Sequence, residues 1–238
     1  MEEITDEIFA FETDFRLPGG VVFRSRMSVI EVGQGDLLLH SPVLLNERET
    51  AALEDRGTVR WIVAPSDLHH TDLAATAARY PDAEVLAGAN VRKRYPELRF
   101  GLALENGLPE PASGQLLPIG LSGAPRWNEH VFVHRSTRTL FCSDLVFNIP
   151  TAPNFLTGLV LSMVGCRDRF AQSRSVRWLF MRDREALSHS VAELMALDFD
   201  RIVMGHGDVV DAHGKERLAD ALHWIWSPAH PMLEAATD

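Results

Sequence analysis

Cysteine is scarce: two residues in 238, neither in a C-x-x-C arrangement, are too few for a disulfide framework. Cys142 sits in the apolar run Thr139-Leu140-Phe141-Cys142, where a buried strand cysteine is the ordinary reading. Positive charge is also short. Against 33 acidic residues stand 23 basic ones, a net charge of −10 that repels polyanions and gives no footprint for nucleic acid or an anionic membrane. No apolar run is long enough to cross a bilayer. The longest, Phe155 to Gly165, is interrupted by Thr157, Gly158 and Ser162 and falls short of the about 20 residues required. The opening Met1-Glu2-Glu3-Ile4-Thr5-Asp6-Glu7 is acidic where a signal peptide needs positive charge and then an apolar segment. The expectation is a cytoplasmic protein whose partner is a small-molecule substrate or ligand, without nucleic acid or membrane.

What is present is core. At 46% hydrophobic residues the chain has ample material for a sheet buried on both faces. Strands are expected at Glu7 to Phe11, Val21 to Val32 and Asp36 to His40, separated by Pro18-Gly19-Gly20 and Gly33-Gln34-Gly35. Asn46 followed by Glu49 has the form of a capping box opening a helix to about Arg56. Next come a strand from Val59 to Ala64, a helix from Asp72 to Tyr80, a strand from Glu84 to Ala87 and a short helix from Asn90 to Tyr95. The pattern then reverts to strands at Gln115 to Ile119, His130 to His134 and Thr139 to Leu145. Pro153 to Arg182 reads as irregular helix, Asp183 to Leu197 as regular helix, Arg201 to Met204 as strand, and Lys215 to Trp226 as a last helix. Strands, helices, strands and helices in that order imply an α/β chain of one domain over residues 1–238. Its two mixed β-sheets pack between outer helices, an αββα sandwich.

Histidines and carboxylates gather at predicted strand ends, where loops converge on one edge of a rigid sheet. They are His40, His69 and His70, Glu129, Asp144 and His206. The segment from Thr139 to Phe147 resembles the one that presents the metal-bridging aspartate in the metallo-β-lactamase superfamily. Ile202-Val203-Met204-Gly205-His206-Gly207 resembles the segment that supplies the last histidine ligand. The departure is local. Where the family carries H-x-H-x-D-H, this chain reads Ser66-Asp67-Leu68-His69-His70-Thr71, so Ser66 and Leu68 take the first two histidine positions, His70 the aspartate position and Thr71 the last. Leu39-His40-Ser41-Pro42, Ala64-Pro65 with His69-His70, Glu129 ahead of Val131-Phe132, and Ser136 to Asn148 together resemble a branch of the superfamily of unknown function.

The resemblance implies a divalent transition metal, zinc, iron or manganese, as one or two ions. Its candidate ligands are His69, His70, Glu129, Asp144 and His206, with Asp144 also the candidate catalytic group. His40 is placed to orient a ligand. Adjacent side chains on an extended backbone diverge, so one of His69 and His70 is expected to face the metal, with His69 favoured. The expected geometry is convergence of His69, Glu129, Asp144 and His206 on one ion. His130 and His134 read as surface or packing residues. The arginines at 167, 169, 174, 177, 182 and 184 read as a solvated face or as an attractor of anions to the pocket mouth. Phe155, Leu156, Leu159, Val160 and Met163 suit an apolar lid or the contact of a homodimer. Three functions remain open: a metal-dependent hydrolase, a catalytically inactive binding or regulatory protein, and an iron-using oxidoreductase.

Overall fold

The computed structural model describes residues 1–226. The chain opens with β1 (Glu2–Thr5), β2 (Ile8–Leu17), β3 (Val21–Glu31) and β4 (Asp36–His40), all antiparallel neighbours. It continues through α1 (Glu47–Glu54), β5 (Thr58–Ala64), α2 (Leu73–Arg79), β6 (Glu84–Ala87), α3 (Ala89–Arg94) and β7 (Phe100–Ala103). From β4 to β7 the pairing is parallel, because each strand is reached through a crossover; seven strands therefore lie in one sheet in chain order. After α4 (Ala112–Gln115) come β8 (Leu116–Gly120), β9 (His130–His134) and β10 (Thr139–Cys142). Then follow β11 (Phe147–Ile149), α5 (Phe155–Val164), β12 (Arg169–Ala171), α6 (Arg184–Ala196), β13 (Arg201–Met204) and α7 (Gly214–Leu222). The second sheet has the order β13-β10-β9-β8, with β13 parallel to β10, and β11 pairs with β12.

Side-chain alternation accounts for the layering. In β4, Leu38 points into the core between the sheets, whereas Leu37 and Leu39 join the core beneath α1, α2 and α3 with Leu53, Leu73 and Val91. Across the gap Phe132, Phe141 and Val203 face inward to meet Ile30, Leu38 and Val63. Their neighbours Val131, Val133, Leu140, Ile202 and Met204 face outward against Leu187, Val191 and Leu194 of α6 and Leu218 and Leu222 of α7. Runs of consecutive apolar residues are thus required on β5, β9, β10 and β13, each covered on both sides. This is the αββα arrangement expected from the sequence.

Several boundaries differ from that expectation. The first hairpin is longer, with β2 and β3 in register from Ile8↔Ile30 to Leu17↔Val21, and β1 and β7 add edge strands. The strand expected to Leu145 stops at Cys142, because the N–H groups of Ser143 and Asp144 turn to the Glu129 carboxylate instead of the ladder. Within 153–182 the chain forms α5, β12 and one π-helical stretch, Val176–Phe180, and α7 ends at Leu222. His130 and His134 are buried and so take the packing alternative. The capping box forms as expected: Asn46 Oδ1 accepts from the Glu49 N–H at 3.0 Å, and Glu49 Oε2 accepts from the Asn46 N–H at 3.0 Å. Among the described residues no helix is long and apolar enough to cross a membrane.

Candidate metal centre

Three loops meet at one edge of the sandwich, those that leave β5, β10 and β13. They carry His69, Asp144 and His206, which can each offer a donor atom such that all three lie within 4.8 Å of one another. His69 Nε2 is 3.3 Å from Asp144 Oδ2, and His206 Nε2 is 3.5 Å from Asp144 Oδ1.

Each imidazole is held by its other nitrogen. His206 Nδ1 donates to the carbonyl of Arg24 at 2.6 Å, and the ring stacks on Phe147 with an interplanar angle of 5°. His69 Nδ1 lies 2.7 Å from Ser41 Oγ. A ring fixed through Nδ1 presents Nε2 in a set direction, as an outer hydrogen bond does for a metal-bound histidine. The backbone permits this closeness. A Cβ on Gly205 would come within 2.8 Å of His69 Cε1 and 2.9 Å of the Ser143 carbonyl, and Gly207 adopts φ +95° with no room beside the Asn148 carbonyl. Gly205-His206-Gly207 is therefore a steric requirement of the site.

Ser66 stands at the family's first histidine position, where it shapes the loop. Its Oγ accepts from the N–H groups of Leu68 and His69 at 3.3 and 3.2 Å and turns the chain so that His69 faces inward. Leu68 is exposed, and Thr71 borders the cavity without joining the cluster.

Glu129 is fully buried behind Asp144 rather than beside it. Its Oε1 accepts from the Ser143 N–H at 2.7 Å and its Oε2 from the Asp144 N–H at 3.0 Å, so both oxygens clamp the loop that carries Asp144. The expected four-donor convergence is thus a convergence of three, with Glu129 beneath them. His70 also stands apart: Nδ1 meets Tyr95 Oη at 2.8 Å, and Nε2 faces the Arg94 guanidinium. His40 is buried against Phe132 and Phe141, and its Nε2 has no hydrogen-bond partner. The group that touches His69 is its neighbour Ser41, which sequence reasoning missed. Ser41 sits at φ +59°, and nothing in the sequence announces that bend.

The electrostatics follow from burial and pairing. Burial opposes charge on His69, but Asp144, with Glu129 behind it, outweighs that and raises the imidazole pKa. Burial likewise opposes ionisation of Asp144, yet His69 and His206 hold its carboxyl below the usual range. His206 is lowered by burial and by His69. His40 is pushed down to about 3, chiefly by burial, and stays neutral. Glu129 is pushed up to about 7 by burial and then by Asp144, against the pull of its backbone donors and His69. Two imidazoles around one ionised carboxylate, each with a nitrogen aimed at the same space, form a donor set of the kind that catalytic zinc and non-haem iron sites use with a further position open.

His69, Asp144 and His206 line a cavity of about 680 Å³. Its other walls include Phe15, Phe23, Phe147, Leu161, Val164 and Phe180. No arginine or lysine lines it among the described residues. Three arginines of 167–184 are engaged elsewhere: Arg177 lies over the Trp224 ring at 4.0 Å, Arg169 donates to the Gly165 carbonyl, and Arg184 to the Trp224 carbonyl.

No protein-family model matches the chain, and no curated protein does. Solved structures do. A metallo-β-lactamase from Erythrobacter litoralis, with β-mercaptoethanol in its active site, aligns at a TM-score of 0.63 and 17% identity over 94% of this chain and 95% of that one. One from Pontibacter korlensis aligns at 0.61 and 13% identity over 93% and 97% of the two chains. FIM-1 from Pseudomonas aeruginosa, in a mono-zinc form, aligns at 0.58 and 14% over 94% of each. At these identities the likeness is one of architecture, and the fold of this chain is the metallo-β-lactamase fold.

Proposed function

We propose that the protein is a metal-dependent hydrolase in which one divalent ion is held by His69, Asp144 and His206. The observation that carries this reading is the convergence of those three donors on a cavity, each histidine tied by Nδ1 and turned by Nε2 toward Asp144. Nitrogen and carboxylate donors suit zinc, with iron and manganese as alternatives. When bound, such a cation supplies the Lewis acidity that makes water a competent attacker near neutral pH and polarises the bond to be cleaved.

The chain's own residues do the rest. Asp144, held ionised by the two imidazoles, is the group placed to accept a hydrogen bond from the attacking water and orient it. Glu129 fixes the loop that carries Asp144 through two backbone N–H groups. The aromatic and aliphatic walls keep bulk water away and strengthen each electrostatic contact inside. A relative in fold was solved with a single zinc, in keeping with the one-ion reading.

The replacement of three family histidines by Ser66, Leu68 and Thr71 favours a second reading, a binding or regulatory protein that keeps the cavity without turnover. One experiment separates the two. Protein purified without chelator and loaded with zinc is assayed with p-nitrophenyl butyrate, before and after chelation and as Asp144→Ala. The hydrolase reading expects turnover that is lost in both cases; turnover that survives in Asp144→Ala, or absence of stoichiometric metal, contradicts it.

A further inference from the structure

The cavity's charge pattern is as informative as its shape. Every charged side chain that borders it, the candidate ligands aside, is acidic: Asp14 and Asp72 lie in its wall, and Asp144 lies in the cluster. Asp14 pairs with Arg16 at 2.9 Å, but that guanidinium lies outside the cavity. A phosphate or carboxylate on a substrate would therefore enter a site with three carboxylates and no guanidinium or ammonium to receive it. Apolar surface is abundant by contrast. It reaches the lip of the cavity, where Leu44, Leu68 and Leu179 line the opening and remain exposed to solvent at 58%, 44% and 59%. Exposed leucines around the mouth of a cleft are surface that a ligand can still bury.

Resting on the hydrolase reading of the same site, we propose that the substrate is a neutral carboxylic ester with an apolar acyl tail, the tail lying along the walls from Phe147 and Leu161 to the leucine lip. The wall carboxylates Asp14 and Asp72, with no cationic side chain to offset them, disfavour a phosphate ester, and a short polar ester would leave the walls unfilled. Hydrolysis adds water across the acyl C–O bond: the hydroxyl goes to the acyl carbon, the proton goes to the departing alkoxide, and a carboxylic acid and an alcohol result. Once ionised, the acid faces Asp14 and Asp72, which favours its release.

The test uses the full chain and a neutral fluorescent probe, N-phenyl-1-naphthylamine, displaced by hexanol, octanol and decanol and by decanoate and decyl phosphate. It is run on metal-free and on zinc-loaded protein. Each two-carbon step should tighten binding roughly tenfold, and in metal-free protein decanoate and decyl phosphate should bind at least about tenfold more weakly than decanol. Leu44→Glu and Leu179→Glu replace exposed side chains, so they should fold, and they should flatten the chain-length series while leaving zinc affinity unchanged. Binding that ignores tail length, or decyl phosphate that matches decanol in metal-free protein, overturns the proposal. The two readings fail separately. Zinc-dependent hydrolysis of short and long esters at equal rates keeps the hydrolase and removes the apolar tail. The full alkanol series in a protein that takes up no zinc keeps the apolar ligand and removes the hydrolase.

Discussion

Buried histidines stand near both ends of strands β10 and β13, and the two ends differ in what the ring nitrogens do. At the start of β10, Thr139 pairs with His134, whose Nδ1 meets Thr137 Oγ1 at 2.9 Å and whose Nε2 meets Gln115 Oε1 at 3.4 Å. Both nitrogens are used, and the ring is fully buried. Beyond the far end of the same strands, His69 and His206 each spend one nitrogen on a fixed partner and aim the other at Asp144 inside a cavity. Residue type and burial are nearly the same at the two ends. Two imidazoles that turn a nitrogen to one shared carboxylate inside a cavity mark the end suited to chemistry; a ring whose nitrogens are taken up by a neutral hydroxyl and a neutral amide marks the end that stabilises.

The comparison breaks most visibly if a donor is removed. Asp144→Ala or His206→Ala should lower zinc affinity, measured by competition with a chromogenic chelator, by more than the about 10- to 100-fold typical of losing an outer partner. Glu129→Ala should fall within that outer range and should also destabilise the fold by about 2 kcal/mol in urea unfolding, because two buried N–H groups lose their acceptor. Ser41→Ala removes one hydrogen bond to His69, and about a tenfold loss of zinc affinity is expected, with little change in stability.

His134→Gln sharpens the contrast from the other end. Zinc affinity should not change, while stability falls by about 1 kcal/mol. This site also gives a pH signature. Burial lowers the His134 pKa, so below the unfolded value of about 6.5 the unfolded chain binds the proton more readily than the folded one. The stability contributed by neutral His134 is therefore present above that pH and declines as pH falls through it. Urea midpoints between pH 7.5 and 5.5 should decline less steeply in His134→Gln; an unaltered slope would mean that the histidine does not titrate with unfolding.

The layers were legible because burial on both faces leaves unbroken apolar runs, as at Leu37-Leu38-Leu39 and Trp61-Ile62-Val63. Asp144 and His206 could be singled out because the segments that carry them, Thr139 to Phe147 and Ile202 to Gly207, resemble the family's ligand-bearing segments, and of His69 and His70 alternation allowed one to turn inward. Direction beyond that was not readable. Glu129 precedes a strand just as a ligand would, and only the fold shows that both its oxygens are taken by the Ser143 and Asp144 N–H groups. Ser41 and the Arg24 carbonyl, which fix the two imidazoles, are contacts across 28 and 182 residues of sequence, and no local pattern encodes them. The absence of arginine and lysine from the cavity lining was equally hidden, since the arginines of 167–184 suggest the opposite until the lining is seen.

Zinc stoichiometry tests the central claim most directly. Protein loaded with excess zinc, dialysed against metal-free buffer and assayed by plasma mass spectrometry should retain one zinc per chain, and Asp144→Ala, folded by circular dichroism, should retain none. Two zincs per chain, or one zinc kept equally by Asp144→Ala, would contradict a single site built from His69, Asp144 and His206.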